Sequence, residues 1–574
     1  MQDEAVDNVD YRFSNINIQG FKDYQSTSNI RTLSEFSLNE NLNMKWESAN
    51  RVVCRGGSWK FKNLDQWAGA KVIRFIDFAK RDDAFFYVIA ALNNGKLFYI
   101  RSDNGSYGSP AATWTEILTP ASASPALSAS VLVRDFQGFN DKFFVCDGTN
   151  ALWYVDFALN KLVSVSIPGL STANVVSLSE KSYRLVALDD AGKTHLSDIN
   201  DGATFTTGNV LNYGRIEGLK ATSAIPFNDD LIITTENQQL GKYQTYRLLG
   251  IQFPQYDVGG VLIPGTEYEQ FEVRKINSIA GIIGDSSQEI ADNAIGLTPR
   301  GFIFLGGAVD SKDRVEEDTF ASRPIRDLIK KINFNRPDLI TSALDSINGR
   351  YLCAVPSNKI STSANTVLVY DFDRSSPKEG LYRWALWTFN WADSNIEHIG
   401  SIKGEPYASD SSGNIYRIDD NDYYADDGNP INHYVRTGSV GGQDLSSEKQ
   451  YGTLQVLFTD LSSDDIQMTV NPVIDGIREV KDTSEQFYVT VDIARPVGNN
   501  FYDIGLRYDS GVYYDGGGTD QKIVTITNRD GRGQVIQYEF STNATGVRWG
   551  LGGFNVRMEK VEELNNSGNN LGNF

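Results

Sequence analysis

The chain has 574 residues, 40% of them apolar, which excludes wholesale disorder and leaves ample length to bury a core without disulfide staples. Lysine and arginine number 53 against 73 aspartates and glutamates, a formal charge of −20. That excess disfavours a protein that grips nucleic-acid phosphates, whereas an acidic wall suits DNA that slides past without sticking.

The first residues, Met-Gln-Asp-Glu-Ala-Val-Asp, lack the basic and apolar regions of a signal peptide, and no stretch is apolar enough to span a membrane. The expectation is a chain that folds in a cytoplasm and does not insert in a bilayer. Cys54, Cys146 and Cys353 lie far apart, each in or beside an apolar run. With no CxxC pair, they read as small buried hydrophobes and not as zinc ligands.

Residues 1–47 are polar and weakly patterned and read as an N-terminal arm. From 48 onward short apolar strands alternate with Gly, Asn and Asp turns. One unit recurs, an apolar strand, a turn, then a strand carrying an aromatic. Its copies are Phe85–Leu92 with Lys96–Ile100, Lys142–Cys146 with Leu152–Val155, and Tyr183–Leu188 with Thr194–Ser197. Leu231–Thr235 with Tyr243–Leu249, Asn293–Leu297 with Phe302–Leu305, and Arg350–Val355 with Thr366–Phe372 follow, and Ile399–Ile402 leads on to Ile415–Ile418. A spacing of roughly 40–65 residues is near that of a four-stranded propeller blade. A lone four-stranded sheet cannot bury both faces, so such units stack around an axis. The reading is an all-β chain with a six- or seven-bladed β-propeller over 48–425.

One helix is expected near 322–333, with Ser322 as its cap, Pro324 in its first turn, and Ile325, Leu328, Ile329 and Ile332 on one face. The acidic stretch 419–429 reads as a strand-free boundary, a solvated linker with calcium as the alternative. Beyond it apolar residues alternate at Leu454, Val456 and Phe458; Ile466, Met468 and Val470; Phe487, Val489 and Val491; Ile536, Tyr538 and Phe540; and Phe554, Val556 and Met558. This predicts an antiparallel, sandwich-like β-domain over 426–562, with a disordered tail at 563–574.

The search for chemistry assigns no catalytic, cofactor-binding or metal-binding residue and implies no cofactor. His195, His398 and His433 do not cluster, and the sequence holds neither a G-x-S-x-G elbow nor H-E-x-x-H. Gly192-Lys193-Thr194 imitates the end of a phosphate loop, but Ala187 stands where the first glycine belongs and a strand follows instead of a helix. Asp198-Ile199-Asn200-Asp201-Gly202-Ala203-Thr204-Phe205 resembles the Asp-box turn of sialidase-like propellers, one residue short, and Ser102–Gly105 with Thr113-Trp114 is a looser echo. Such turns support a fold and not a reaction.

Three passages carry a wider resemblance. They are Tyr183–Val186 through His195–Asp198 to Phe205; Gly296–Phe302 through the expected helix to Asn348–Leu352, Val369–Phe372 and Trp384–Trp387; and Asn528–Val535 with Trp549–Val556. Their texture, over roughly residues 180–560, is similar to the tail nozzle proteins of short-tailed bacteriophages, also called tail tubular protein B or packaged-DNA stabilisation proteins. The resemblance implies a non-enzymatic virion protein, assembled in the host bacterial cytoplasm as a homohexameric ring at the tip of the tail. It implies a tail adaptor above, fibres or spikes beside it, and double-stranded DNA that passes without specific binding. The alternative is a propeller-based tail protein that binds or cleaves host glycans.

Overall fold

In a computed structural model, the described residues fall within 13–61, 70–102, 113–119, 127–252, 270–276, 281–305, 320–441, 447–478, 489–493 and 522–560, with positions 261 and 264 and short interruptions inside some ranges. The chain forms two compact units, Gly56–Tyr382 with Leu386–Asn429, and Met1–Arg55 with Arg383–Ala385 and Pro430–Phe574.

The unit spanning 56–429 is a seven-bladed propeller. Blade 1 is Val72–Ala79, Phe86–Leu92, Leu97–Ser102 and Thr115–Ile117, and blade 2 is Asp135–Phe139, Lys142–Cys146, Leu152–Asp156 and Lys161–Val165. Blade 3 is Val175–Lys181, Arg184–Asp189, Lys193–Leu196 and Val210–Asn212, and blade 4 is Lys220–Phe227, Asp230–Asn237, Lys242–Gln252 and Gln270–Ile276. Blade 5 has three described strands, Gln288–Ile290, Asn293–Thr298 and Gly301–Phe304, and blade 6 follows with Thr341–Asp345, Arg350–Val355 and Thr366–Ser376. Blade 7 is Ile396–Ile402, Glu405–Asp410 and Ile415–Asp420, completed from the far end of the unit by Gly57–Lys60.

Ring closure is direct. The first strand of each blade packs on the first strand of the next, and that of blade 7 packs back on Val72–Ala79 of blade 1. Gly57–Lys60 pairs antiparallel with Ile415–Asp420, matching Lys60 with Tyr416 and Trp59 with Arg417. Trp59 Nε1 donates to Asp420, and Ser58 Oγ donates to Asp426. The ends of the unit are thus tied within one sheet, which leaves no open edge between first and last blades.

The apolar cores lie between blades. Val72, Phe75, Val88 and Phe98 of blade 1 meet Ile402, Tyr407 and Ile415 of blade 7. Phe139, Phe144 and Leu152 of blade 2 meet Leu178, Leu185 and Phe205 of blade 3. Each sheet therefore buries both faces, and each filled Leu, Ile or Phe contributes about 1.5–3 kcal/mol. This explains why the second strands, buried along nearly their whole length, carry continuous apolar runs such as Tyr87–Leu92 and Leu185–Leu188. Each of the seven recurring sequence units falls in a different blade, so the count is seven.

The expected helix is shorter than the spacing predicts. A 3-10 turn at Arg323–Ile325 leads into an α-helix of only Arg326–Ile329. Ser322 does not cap it, because its hydroxyl accepts Phe302 N–H at 2.8 Å. Ile325, Ile329 and Ile332 are buried as the pattern requires, while Leu328 is half-buried. The acidic stretch is not strand-free, and it is solvated only at 421–423 and 427–429. Asp419 and Asp420 end a strand of blade 7, and Asp426 is fully buried, accepting from Ser58 and from Asn390 N–H. The Arg350 guanidinium, the Trp59 indole, the Ser58 hydroxyl and the Gly56 and Asn390 amides take up these carboxylates.

The other unit is an antiparallel sandwich. One sheet orders Lys522–Gly533, Lys449–Thr459, Gly550–Lys560, Val52–Cys54 and Met44–Trp46, with Phe13–Ile18 pairing further along the edge of Gly550–Lys560 that Val52–Cys54 also uses. Within the unit, Ser37–Leu42, His433–Thr437, Ile536–Thr542 and Ile466–Ile474 order a second sheet, which Ile477–Arg478 and Val489–Ile493 extend. Phe458 meets Phe540 edge-on at 6.1 Å, and Tyr538 meets Phe554 at 5.8 Å. All the alternating runs are strands except at Phe487, which lies outside the described residues, as does 563–574. The expected N-terminal arm contributes strands here. Leu38, Met44 and Trp46 are buried, and burial of these scattered apolar residues outweighs the polar texture around them.

Candidate functional site

The first strands surround an axial tunnel. A cavity of about 990 Å³ lies on the face where the first strands begin. Ile73 and Arg74 of blade 1, Val176 of blade 3, Thr222 of blade 4, Thr341 of blade 6 and His398 of blade 7 line it. A second cavity of about 510 Å³ is lined by Asp135, Gln137, Ser223, Ser287, Gln288 and Glu289, and Asp285 lines both.

Between them an ion bridge crosses the axis. Arg74 Nη1 donates to Asp135 of blade 2 at 2.9 Å, and Nη2 donates to Asp285, at the entry to blade 5, at 2.9 Å. Ser177 Oγ and Leu178 N–H of blade 3 also donate to Asp135, at 2.8 and 2.9 Å. Burial pushes the Asp135 carboxyl up from its ordinary range, and Arg74 opposes this. His398 stands beside the bridge with its ring edge-on to Phe75 at 5.1 Å. Burial, aided by Arg74, pushes His398 down to about 3, so it is neutral at pH 7. The bridge ties blades 1, 2, 3 and 5 together and obstructs the tunnel. Its members serve each other as structural partners.

Arg350 organises a second buried network. Its guanidinium donates to Asp419 and lies within 3.8 Å of Asp345 and 3.6 Å of Asp371. Burial raises Asp345 and Asp371 against the pull of Arg350.

A repeated hairpin cap appears at the turns between second and third strands. Asp147 accepts Thr149 and Asn150 N–H at 2.8 and 2.6 Å and Trp153 Nε1 at 3.4 Å. Asp189 accepts Ala191 and Lys193 N–H at 2.9 and 2.8 Å and bonds His195 Nε2 at 2.9 Å. Asp410 accepts Ser412 and Asn414 N–H at 3.0 and 2.8 Å and Tyr416 hydroxyl at 3.1 Å. The ring comes six residues after the aspartate in all three, and Gly192 (φ 94°) and Gly413 (φ 86°) supply the left-handed step in the later two. Burial raises Asp189, but His195 and the two amides outweigh it and hold the carboxyl below its usual range.

Sequence-based candidates resolve as follows. His195, His398 and His433 are buried and separate, the first two in blades 3 and 7, the third in the sandwich. Lys193–Leu196 is a strand, so Gly192-Lys193-Thr194 cradles no phosphate from a helix end. The Asp-box-like turn is a tight turn in blade 3. Asp201 accepts Ala203 N–H at 3.0 Å and Thr204 hydroxyl at 2.7 Å, and Phe205 is buried against blade 2. Asp103–Gly105 of the looser echo lie outside the described residues. The three cysteines are buried and free. Among the described residues no group of His, Cys, Asp and Glu has a metal-holding arrangement. Arg74, Asp135 and Asp285 escaped sequence reading because 61 and 211 residues separate the pairs. The six-residue spacing from aspartate to ring is a signal that could have been read.

Fold and site together define a seven-bladed β-propeller joined to a β-sandwich. No family model matches the chain, and no curated protein does. The chain is similar to the WD40 domain of Neurospora crassa Pan2, at 10% identity and a TM-score of 0.37, over 64% of this chain and 96% of that one. It is similar to the WD40 β-propeller domain of Doa1, at 10% identity and 0.36, over 63% and 97%. It also resembles the computationally designed Ika8 protein, at 11% and 0.34, over 70% and 98%. The propeller assignment rests on the seven sheets and their closure.

Proposed function

We propose that this chain is a non-catalytic virion subunit, the nozzle of a short phage tail, working as a ring of copies through which the genome leaves. The observation that carries the reading is the Arg74 bridge. Arg74, Asp135 and Asp285 at the axis are engaged with each other, which suits a building block better than a reaction centre. A tunnel crossed by one guanidinium cannot admit a duplex whose grooves alone are about 12 and 6 Å wide. Duplex passage therefore requires a channel enclosed by several copies. The charge of −20 suits that wall, since it offers phosphates little to adhere to. In this reading the ring binds a tail adaptor and fibres or spikes and belongs to the tail of the virion.

Native mass spectrometry of the purified chain, with electron microscopy of the assembly, tests this. The expected result is a closed ring of about six copies, alone or on its adaptor. A chain that stays monomeric at micromolar concentration with and without the adaptor overturns it.

A further inference from the structure

The tunnel mouth on the face of the first-to-second-strand turns carries an open pocket of about 470 Å³. Gln137, Ser179, Glu180, Lys181, Tyr183 and Pro226 line it. Tyr183 is 72% exposed and has a φ of 60°. Lys181 pairs with Arg184, so Tyr183 is the second residue of a two-residue turn. In blade 7 the equivalent turn lies between the paired Ile402 and Glu405, and its second residue is Gly404, φ 77°. Glycine takes that conformation freely, whereas a bulky side chain is strained in it. Tyr183 thus sits where backbone preference opposes it and burial does not reward it. A local rule broken without a packing gain marks a functional position.

We propose that this mouth is a saccharide-binding site, with the Tyr183 ring as platform for the apolar face of a neutral sugar. A sugar ring presents C–H bonds on its faces and hydroxyls around its rim. It needs a flat aromatic surface, a carboxylate to accept from hydroxyls, and amide or ammonium donors. Tyr183, Glu180 and the Gln137 amide supply these in one pocket, and Pro226 adds an apolar wall. Lys181 and Ser179 are buried and so fixed in place. Glu180 here, and Glu289 in the adjoining cavity, bias the mouth against anionic sugars. A docked peptide helix would need a row of apolar anchors, and the polar lining offers none. This site stands whether or not the chain forms a ring.

The test measures binding of the full-length chain to immobilised maltohexaose, cellohexaose and chitohexaose, with sialyllactose as the anionic comparison. At least one neutral oligosaccharide should be retained. Tyr183→Ala and Tyr183→Gly should each weaken retention about tenfold or more, roughly the removal of one good stacking contact. Tyr183→Gly should melt no lower than the parent, which separates lost binding from lost folding, and Glu180→Gln should weaken retention less. No neutral sugar retained, sialyllactose alone retained, or full retention by both Tyr183 variants overturns the proposal.

Discussion

The propeller holds buried charge in two ways, and the contrast is instructive. In the hairpin caps of blades 2, 3 and 7, an aspartate is satisfied by amides two to four residues away and a ring six residues away. In the Arg74 network the partners come from other blades, 61 and 211 residues away, and Arg350 draws Asp419 of blade 7, 69 residues away, onto Asp345 and Asp371 of its own blade. The caps complete themselves once the hairpin forms. The networks are complete only after blades pack on one another, since Asp135, Asp285 and Asp419 each reach their arginine from a different blade. Removing a cap should thus cost a local amount, whereas removing a hub leaves several charges stranded.

The largest expected effect is at Arg350. Arg350→Met removes the guanidinium from Asp345, Asp371 and Asp419, and should cost about 3–5 kcal/mol, seen as a lowered urea midpoint. A loss no larger than that of removing a cap would show that hub and cap are equivalent.

Next comes a cap. Asp410→Ala frees two backbone N–H groups and the Tyr416 hydroxyl, and should cost about 2–3 kcal/mol in the same measurement. Asp410→Asn keeps one acceptor and should recover part of that. Equal losses for both would mean that the charge, not the acceptor geometry, matters.

Acid stability gives the smallest effect at mild pH. Burial pushes both His398 and His433 down to about 3, with Arg74 and Arg55 adding to it. The unfolded chain binds these protons near 6.5 and the folded chain does not until about 3. The stabilising contribution is therefore full above 6.5 and is lost as pH falls, at about 1.4 kcal/mol per pH unit for each histidine. At pH 5 that is about 2 kcal/mol each. His398→Gln should remove one histidine's share and flatten the fall of the urea midpoint between pH 6.5 and 4.5. An unchanged slope would show that His398 is protonated in the folded protein.

Legibility follows the same division. The second and third strands of most blades could be read because a strand buried on both faces becomes an apolar run and its hairpin needs Asp, Asn or Gly. The alternation Leu454, Val456, Phe458 betrayed the sandwich because only one of its faces is buried. Ser322 has the sequence setting of a helix cap, but its hydroxyl answers an amide twenty residues back, at Phe302, which no local pattern announces. Asp419 and Asp426 looked solvated because acidic runs usually are, yet Arg350 and Ser58 claim them from elsewhere in the chain.

The sequence by itself determined the class, the repeated unit and the places where strands turn, since each depends on residues within a hairpin of one another. It left the blade count between six and seven. Tertiary structure decided the count, the closure of blade 7 by Gly57–Lys60, the bridge across the axis, and the exposure of Tyr183 at the tunnel mouth. Each of these depends on groups brought together only when the ring closes, and charge pairing or burial at that range leaves no periodic trace in the chain.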